Sequence, residues 1–272
     1  MLDAGEAWFE HGDRGGAERG VVCGVFGRAA YLRFGDRVMA MCCADVAPGP
    51  MHLRIERLPT LRVGMPAVLS EHRLRVATLD LVLATERRWG PAKAQPDALA
   101  RCGPLAAEVL RGEPSCGPAV RGGIAAGAPE STGLPSPILE DAARSVQRGD
   151  VAALARRVGG LGPGLTPAGD DLLAGVLVTD AALDLSPPES RTRAAAMVAT
   201  TDISRSFLRW AATGQCIGPV HDVLGALAAG QRDQAFAACG ALRATGATSG
   251  AALIFGMALV LLRGSVGGGL RR

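Results

Sequence analysis

The stretch that decides the fold reads Gly160-Leu161-Gly162-Pro163-Gly164-Leu165-Thr166-Pro167-Ala168-Gly169-Asp170-Asp171, and an apolar run to Val178 follows it. Glycines permit positive φ and close approach of the backbone to another group. Thr166 is a favourable N-cap, and Pro167 suits the first helical position, where its missing N–H has no partner to lose. The stretch therefore predicts a loop entering a buried helix, whose free N–H groups and dipole would favour a bound anion.

A second loop of small residues, Thr245-Gly246-Ala247-Thr248-Ser249-Gly250, enters the apolar run from Ala251 to Leu262. If the two helices pack side by side, their N-termini can present the hydroxyls of Thr166, Thr248 and Ser249 to one small anion. The alternative is that each loop is a tight turn whose glycines allow close helix packing. On the first interpretation the substrate-binding residues are Gly162, Gly164, Gly169, Thr201, Ser204, Thr248, Ser249 and Gly250.

The predicted catalytic residues are Asp170, Asp171 and Thr166. Two carboxylates beside an anion repel it unless something compensates them. They could complement the helix dipole, hold Mg²⁺ together with substrate oxygens, or accept a hydrogen bond from a substrate amide or amine. Side chains at adjacent helical positions point about 100° apart, so one carboxylate faces the site while the other pairs within the protein. We favour Asp170 as functional and Asp171 as structural. We assign no metal-binding residues and no certain cofactor, and Mg²⁺ stays one option.

Other polar residues give weaker signals. The cluster Thr200-Thr201-Asp202-Ile203-Ser204 begins a helix, where capping competes with a position in the same cavity for Thr201 and Ser204. The four histidines lack metal-ligand spacing, and His221 is expected to be structural rather than a general acid or base. No serine nucleophile elbow, Walker motif or dinucleotide fingerprint is present.

Periodicity predicts an α+β chain. Between about residue 20 and residue 88, apolar and polar residues alternate, which indicates antiparallel strands forming a small barrel or sandwich. Helical periods follow, interrupted by a long loop at 112–136. We therefore predict a β-rich domain over residues 1–95 and an all-helical domain over residues 96–272 that carries the glycine-rich motif.

Composition narrows the class of protein. The 272 residues are 48% hydrophobic and 20% charged, which is typical of a globular chain, and the net charge of +3 is too small for a nucleic-acid-binding surface. The seven cysteines form no Cys-x-x-Cys pair, which suggests reduced thiols and a cytoplasmic protein. The run from Ala251 to Leu262 is shorter than the roughly 20 residues that span a bilayer, so no membrane segment is expected.

The glycine-rich stretch resembles the signature of the AllH family, long catalogued as a domain of unknown function. Its better-known member is a subunit of oxamate carbamoyltransferase in anaerobic allantoin degradation. Support comes from Thr201–Ser204, from the loop at 246–250, where the family tends to have Gly-x-Thr-Ser-Gly, and in outline from the β-rich half. The chain departs from the pattern at Ala252, where the family often has Asp, and at Ala168, where Ser is common.

The resemblance implies a reaction and partners. The reaction would be phosphorolysis of oxalurate to oxamate and carbamoyl phosphate, or its reverse, on a small anionic substrate. The partners would be other subunits of the carbamoyltransferase complex, one of them related to acyl-CoA synthetases. Two alternatives stay open: a non-catalytic scaffold or ligand-sensing subunit, and an enzyme acting on a different small carboxylate or nucleotide.

Overall fold

The structure, a computed structural model, describes residues 1–10, 16–70, 73–112 and 130–263. Contacts divide the chain into two compact units, Met1–Pro91 and Ala92–Arg272. In the described ranges the first unit is built from strands and the second from helices, so the chain is mixed α and β. The domain boundary at residues 95 and 96 stays a prediction, and most of the predicted loop at 112–136 lies outside the described residues.

Eight strands in the described part of the first unit form a single sheet. They are β1 (Asp3–Ala4), β2 (Glu18–Val25), β3 (Ala29–Phe34), β4 (Arg37–Cys43), β5 (His52–Ile55), β6 (Pro66–Ser70), β7 (Arg73–Val76) and β8 (Leu79–Val82). The order across the sheet is β1-β5-β4-β3-β2-β6-β7-β8. Alternate residues such as Val22, Leu32 and Leu74 are fully or almost fully buried, as expected for strands with one apolar face.

The sheet differs from the predicted antiparallel barrel or sandwich in two ways. Strands β4 and β5 pair in parallel, with Ala40 opposite His52. The edges, β1 and β8, also do not pair with each other in a ladder. The chain leaves β8 and makes a 3₁₀ turn at Thr85–Arg87, after which Arg88 forms an isolated bridge to Ala4. One bridge in place of a strand pair leaves a curled, open sheet.

Ten α-helices lie in the described part of the second unit. They are α1 (Pro96–Arg101), α2 (Gly103–Gly112), α3 (Ser136–Arg148), α4 (Val151–Val158), α5 (Ala168–Ala182), α6 (Pro188–Ala196), α7 (Asp202–Ala212), α8 (Gly218–Ala228), α9 (Arg232–Arg243) and α10 (Ser249–Leu261). None of the helices in these ranges combines the length and the apolar character that crossing a membrane requires.

Helices α5 and α10 pack against each other at the centre of the second unit. Both are apolar on nearly all sides, and almost every residue of each is buried. A Cβ added at Gly175 would lie 2.3 Å from the carbonyl oxygen of Leu253, and one added at Gly256 would lie 2.2 Å from that of Leu172. Only glycine permits this approach. The reciprocal contact brings the two backbones together and sets the N-termini of the helices side by side.

Candidate functional site

The glycine-rich loop before α5 is shaped by left-handed glycines. Gly160 and Gly162 have φ of 73° and 111°, and Gly164 has φ of 99°. A Cβ at Gly160 would lie 2.5 Å from the carbonyl oxygen of Ala199, whereas nothing lies within 4 Å of one at Gly164. Gly160 is therefore needed for both conformation and space, and Gly164 for conformation alone.

The start of α5 differs from the prediction by one residue. The helix begins at Ala168 with Pro167 at the N-cap position, so Thr166 does not cap it. The N–H groups of Gly169 and Asp170 donate to the carbonyl oxygens of Leu161 and Pro167 at 2.9 Å each. A Cβ at Gly162 would lie 2.9 Å from the nitrogen of Ala168. The loop thus covers this helix end, and an anion would reach it only if the loop moved. Anion binding there stays a prediction.

Asp170 is buried and accepts hydrogen bonds from three groups. Its Oδ1 accepts from the Gly160 N–H at 2.6 Å, and its Oδ2 accepts from the Ser204 hydroxyl at 2.6 Å and from the Thr200 hydroxyl. Its relative exposure is 1%. We call Asp170, Gly160, Thr200 and Ser204 the Asp170 cluster. Because it ties the loop to the start of α7, its evident effect is to hold the loop in place.

Asp171 lies on the side of α5 that meets α10. The hydroxyl oxygens of Thr166 and Ser249 are 3.3 Å apart. Both hydroxyls form hydrogen bonds that lower the pKa of Asp171. Oδ2 of Asp171 is buried and has no hydrogen-bond partner among the described residues. We call Asp171, Thr166 and Ser249 the Asp171 cluster. It joins the two glycine-rich loops that the sequence placed in one site.

The protonation of Asp171 is set by competing effects. Burial is the largest and raises the pKa of this carboxyl to about 7. The Ser249 hydroxyl lowers it, the charge of Asp170 raises it, and the Thr166 hydroxyl lowers it. A carboxyl with such a pKa changes charge near neutral pH, so it can either accept or donate a proton there. This is the property expected of a functional group rather than a helix cap.

The environments of the two carboxylates are therefore the reverse of the expectation. Asp170, which the sequence analysis favoured as functional, is satisfied on both oxygens by protein donors. Asp171, which it favoured as structural, keeps an unsatisfied oxygen. Adjacent residues of a helix point about 100° apart, so Asp170 and Asp171 meet different neighbours. A Mg²⁺ ion shared by both carboxylates would have to displace the donors to Asp170.

Two of the other predicted residues support the loop. Thr201 caps α7 by accepting from the Ser204 N–H at 3.0 Å, and its hydroxyl donates to the Leu165 carbonyl oxygen at 2.6 Å. Ser204 belongs to the Asp170 cluster. Neither contact reaches the Asp171 cluster, so the structure does not bring these two residues together with Asp171 through the bonds they make.

Gly169 and Gly250 lie where other backbone segments pack. A Cβ at Gly169 would fall 1.9 Å from the Val158 carbonyl oxygen, and one at Gly250 would fall 2.0 Å from that of Leu242. Thr248 occupies the N-cap position of α10 without a side-chain cap bond. Ala252, where the family often has Asp, is fully buried in the first turn of α10.

Two features of the site carried no clear sequence signal: the position of Thr200 beside Asp170, and that of Cys216 close to Asp171. Thr200 was visible in its polar cluster, but no spacing rule separates it from Thr201. The Cys216 N–H donates to Nε2 of His221 at 3.0 Å, and burial lowers the pKa of His221 to about 4, so the ring is neutral. Burial raises the pKa of Cys216 to about 12, and the charge of Asp171 adds to the rise. His221 is thus structural, as expected, and Cys216 is an inert thiol close to Asp171.

Metal ligands are sparse in the described parts of the chain. No group of three or more His, Cys, Asp or Glu side chains is placed to hold an ion there. Mg²⁺ usually needs only one or two carboxylates together with substrate oxygens. Asp171 could supply one of them, and a Mg²⁺ requirement therefore stays a prediction.

Comparison with known proteins gives one match. Residues 158–261 match the AllH family, described as "Oxamate carbamoyltransferase subunit AllH". This segment of the chain is similar to the AllH family. The matched segment runs from the end of α4 to the end of α10, so it contains both the Asp170 cluster and the Asp171 cluster. No curated protein and no solved structure matches the chain.

Proposed function

We propose that the chain is a subunit of an oxamate carbamoyltransferase-like enzyme and that the Asp171 cluster binds its amide-bearing substrate. The observation that carries this proposal is the unsatisfied Oδ2 of Asp171 beside the Thr166 and Ser249 hydroxyls. It lies within the segment that matches AllH. Two hydroxyls and a carboxyl can bind a small molecule that has both an amide and a carboxylate, as oxamate and oxalurate do.

The reaction we propose is oxalurate plus phosphate giving oxamate plus carbamoyl phosphate. A phosphate oxygen forms a bond to the carbamoyl carbon, and the bond from that carbon to the oxamate nitrogen breaks. The proton of hydrogen phosphate ends on that nitrogen, so atoms and charges balance. With a pKa near 7, the Asp171 carboxyl can donate a proton to the leaving nitrogen and take one back from phosphate. In the reverse direction it acts as the base toward oxamate.

Neighbouring groups would support this proton transfer. While they donate to Asp171, the Thr166 and Ser249 hydroxyls can orient the substrate by accepting hydrogen bonds from its N–H groups, which reduces the entropy lost on alignment. Fixed hydrogen-bond donors in such a site also stabilise the negative charge that develops on the carbamoyl oxygen during the transfer. Partner subunits, one of them related to acyl-CoA synthetases, complete the proposed enzyme.

The test uses the full chain purified from its own cells with its bound subunits. We expect phosphate-dependent formation of carbamoyl phosphate from oxalurate, and a loss of at least about 100-fold in kcat/KM for Asp171→Ala, in the range of one lost acid–base group. Thr201→Ala is the matched control, because it loosens the loop without touching the Asp171 cluster, and it should keep activity within about threefold.

The alternatives predict other outcomes. A scaffold or ligand-sensing subunit would leave turnover nearly unchanged in Asp171→Ala. An enzyme for a different small carboxylate or nucleotide would show no turnover of oxalurate in either direction, even in an intact complex.

A further inference from the structure

The unsatisfied oxygen of Asp171 restricts what can bind next to it. A buried polar atom without a hydrogen-bond partner costs about 1–3 kcal/mol, and a charged one costs more. The Thr166 and Ser249 hydroxyls beside Asp171 do not bond this oxygen, and the donors around the preceding carboxylate donate to Asp170. Oδ2 is therefore satisfied either by its own proton or by a donor that a ligand brings.

No cation in the described residues compensates this carboxyl. None of the ion pairs found in these ranges includes Asp171. The charge of Asp170 lies close by, and the Cys216 thiol, which also senses the charge of Asp171, is neutral. A ligand group that is itself negative meets repulsion here, whereas an N–H donor meets an acceptor.

We propose that Asp171 is a specificity-determining residue that reads the amide end of the ligand, accepting an N–H from an amide or ureido nitrogen and excluding a carboxylate from the same position. The inference rests on the proposed function for its ligand class. It adds the direction in which the ligand lies and the group that distinguishes it from a dicarboxylate of the same shape.

Oxamate and oxalate form a matched pair for this proposal. They have nearly the same size and shape, and they differ in one group, an amide in oxamate and a carboxylate in oxalate. An ionised Asp171 accepts from the oxamate NH₂ and repels the second carboxylate of oxalate. In Asp171→Asn the side-chain amide donates to a carboxylate instead, so the preference should reverse.

The number of protons released or taken up on binding should also differ between oxamate and oxalate. The pKa of Asp171 is near 7, so at neutral pH the carboxyl is partly protonated. Oxamate binds better to the ionised form and should therefore release a fraction of a proton on binding. Oxalate binds better to the protonated form and should take up a fraction of a proton. The two ligands are thus expected to give opposite signs.

The experiment is isothermal titration of the full chain with each ligand at pH 7, in two buffers of different ionisation enthalpy. We expect the wild type to bind oxamate at least about tenfold more tightly than oxalate, a difference of about 1.4 kcal/mol. Proton release should accompany oxamate and proton uptake should accompany oxalate. Asp171→Asn should prefer oxalate and lose both proton signals.

Asp150→Asn is the matched control. Asp150 caps α4, where Asn caps equally well, and the variant loses the same charge at a different place. It should keep the wild-type preference and proton signals. If Asp171→Asn does not fold, Asp171→Ala takes its place, and there the preference should vanish rather than reverse.

Any of four results would overturn the inference. They are equal affinities of the wild type for the two ligands, the same preference in wild type and Asp171→Asn, proton changes of the same sign, and no binding of either ligand. These outcomes are distinct from failure of the proposed function. A complex that turns over oxalurate while its subunit shows no preference would refute the inference alone. A subunit that shows the preference while its complex has no turnover would refute the proposed reaction alone.

Discussion

The Asp170 cluster and the Asp171 cluster are one residue apart in the chain and have contrasting chemistry. Asp170 accepts three hydrogen bonds from the protein and links the loop to α7. Asp171 lies between two helix starts with one oxygen unsatisfied and a pKa near 7. The hydrogen bonds of Asp170 stabilise the fold. The free oxygen of Asp171 can still form a hydrogen bond with a ligand or take up a proton. Adjacent carboxylates in one motif can thus separate structural support from recognition.

The largest expected effect contrasts the two carboxylates directly. Asp170→Ala leaves an N–H and two hydroxyls without their acceptor, and it should lower the free energy of unfolding by about 3 kcal/mol or more. Asp171→Ala removes a buried carboxyl with one unsatisfied oxygen, but also the acceptor of the Thr166 and Ser249 hydroxyls, so the free energy of unfolding should change by less than about 1 kcal/mol. Urea unfolding of both variants at pH 7.5 measures the difference. Equal losses would mean that the contrast between the clusters is wrong.

A second prediction tests the helix contact on which the Asp171 cluster depends. Gly256→Ala places a methyl group against the Leu172 carbonyl oxygen, so α5 and α10 must separate. We expect a loss of about 2 kcal/mol in the free energy of unfolding, together with weaker oxamate binding.

Gly240→Ala is the control for this substitution, because nothing lies within 4 Å of a Cβ at Gly240 in α9. It should raise the free energy of unfolding by about 0.5–1 kcal/mol, since alanine favours a helix over glycine. Thermal and urea unfolding measure both variants. Tolerance of alanine at both glycines would argue against a backbone contact that positions Ser249.

The smallest expected effect is a pH dependence. The pKa of Asp171 rises from 3.8 to about 7 on folding, so between these pH values the folded chain binds more protons than the unfolded chain. The contribution of Asp171 to stability therefore falls as pH rises through this window and levels off above it. The free energy of unfolding of the wild type, relative to Asp171→Asn, should fall by at least about 1 kcal/mol between pH 4 and pH 7. A flat difference would contradict the assigned environment.

The sequence predicted the helices better than it predicted how the strands pair in the sheet. At the junction of α3 and α4, Gly149 ends one helix with φ of 71° and Asp150 caps the next by accepting from the Ala153 N–H, which are roles that these residue types favour. Alternation in the first unit predicted strands, but it carries no information on which edges meet. The parallel pairing of β4 with β5 depends on the path of the segment between them, which has no distinctive periodicity.

The site residues stay predictions, but the structure shows which of them lie together. Glycine and hydroxyl content identified both loops, and the structure brings Thr166 and Ser249 together. The environments of Asp170 and Asp171 depend on which neighbouring helix packs against each face of α5, and the sequence carries no direct signal for that packing. Their roles stay predictions until the variants are measured.

The glycine pair between α5 and α10 also has a consequence for the geometry of the site. Gly175 follows Asp171 by four residues and Gly256 follows Ser249 by seven, so each glycine lies on the same face of its helix as the site residue before it. Main-chain atoms at these two glycines set the separation of the helices, so the neighbouring core residues can vary without moving the site. A larger residue at either glycine is therefore expected to move Asp171 away from Ser249 even where the rest of the core is unchanged.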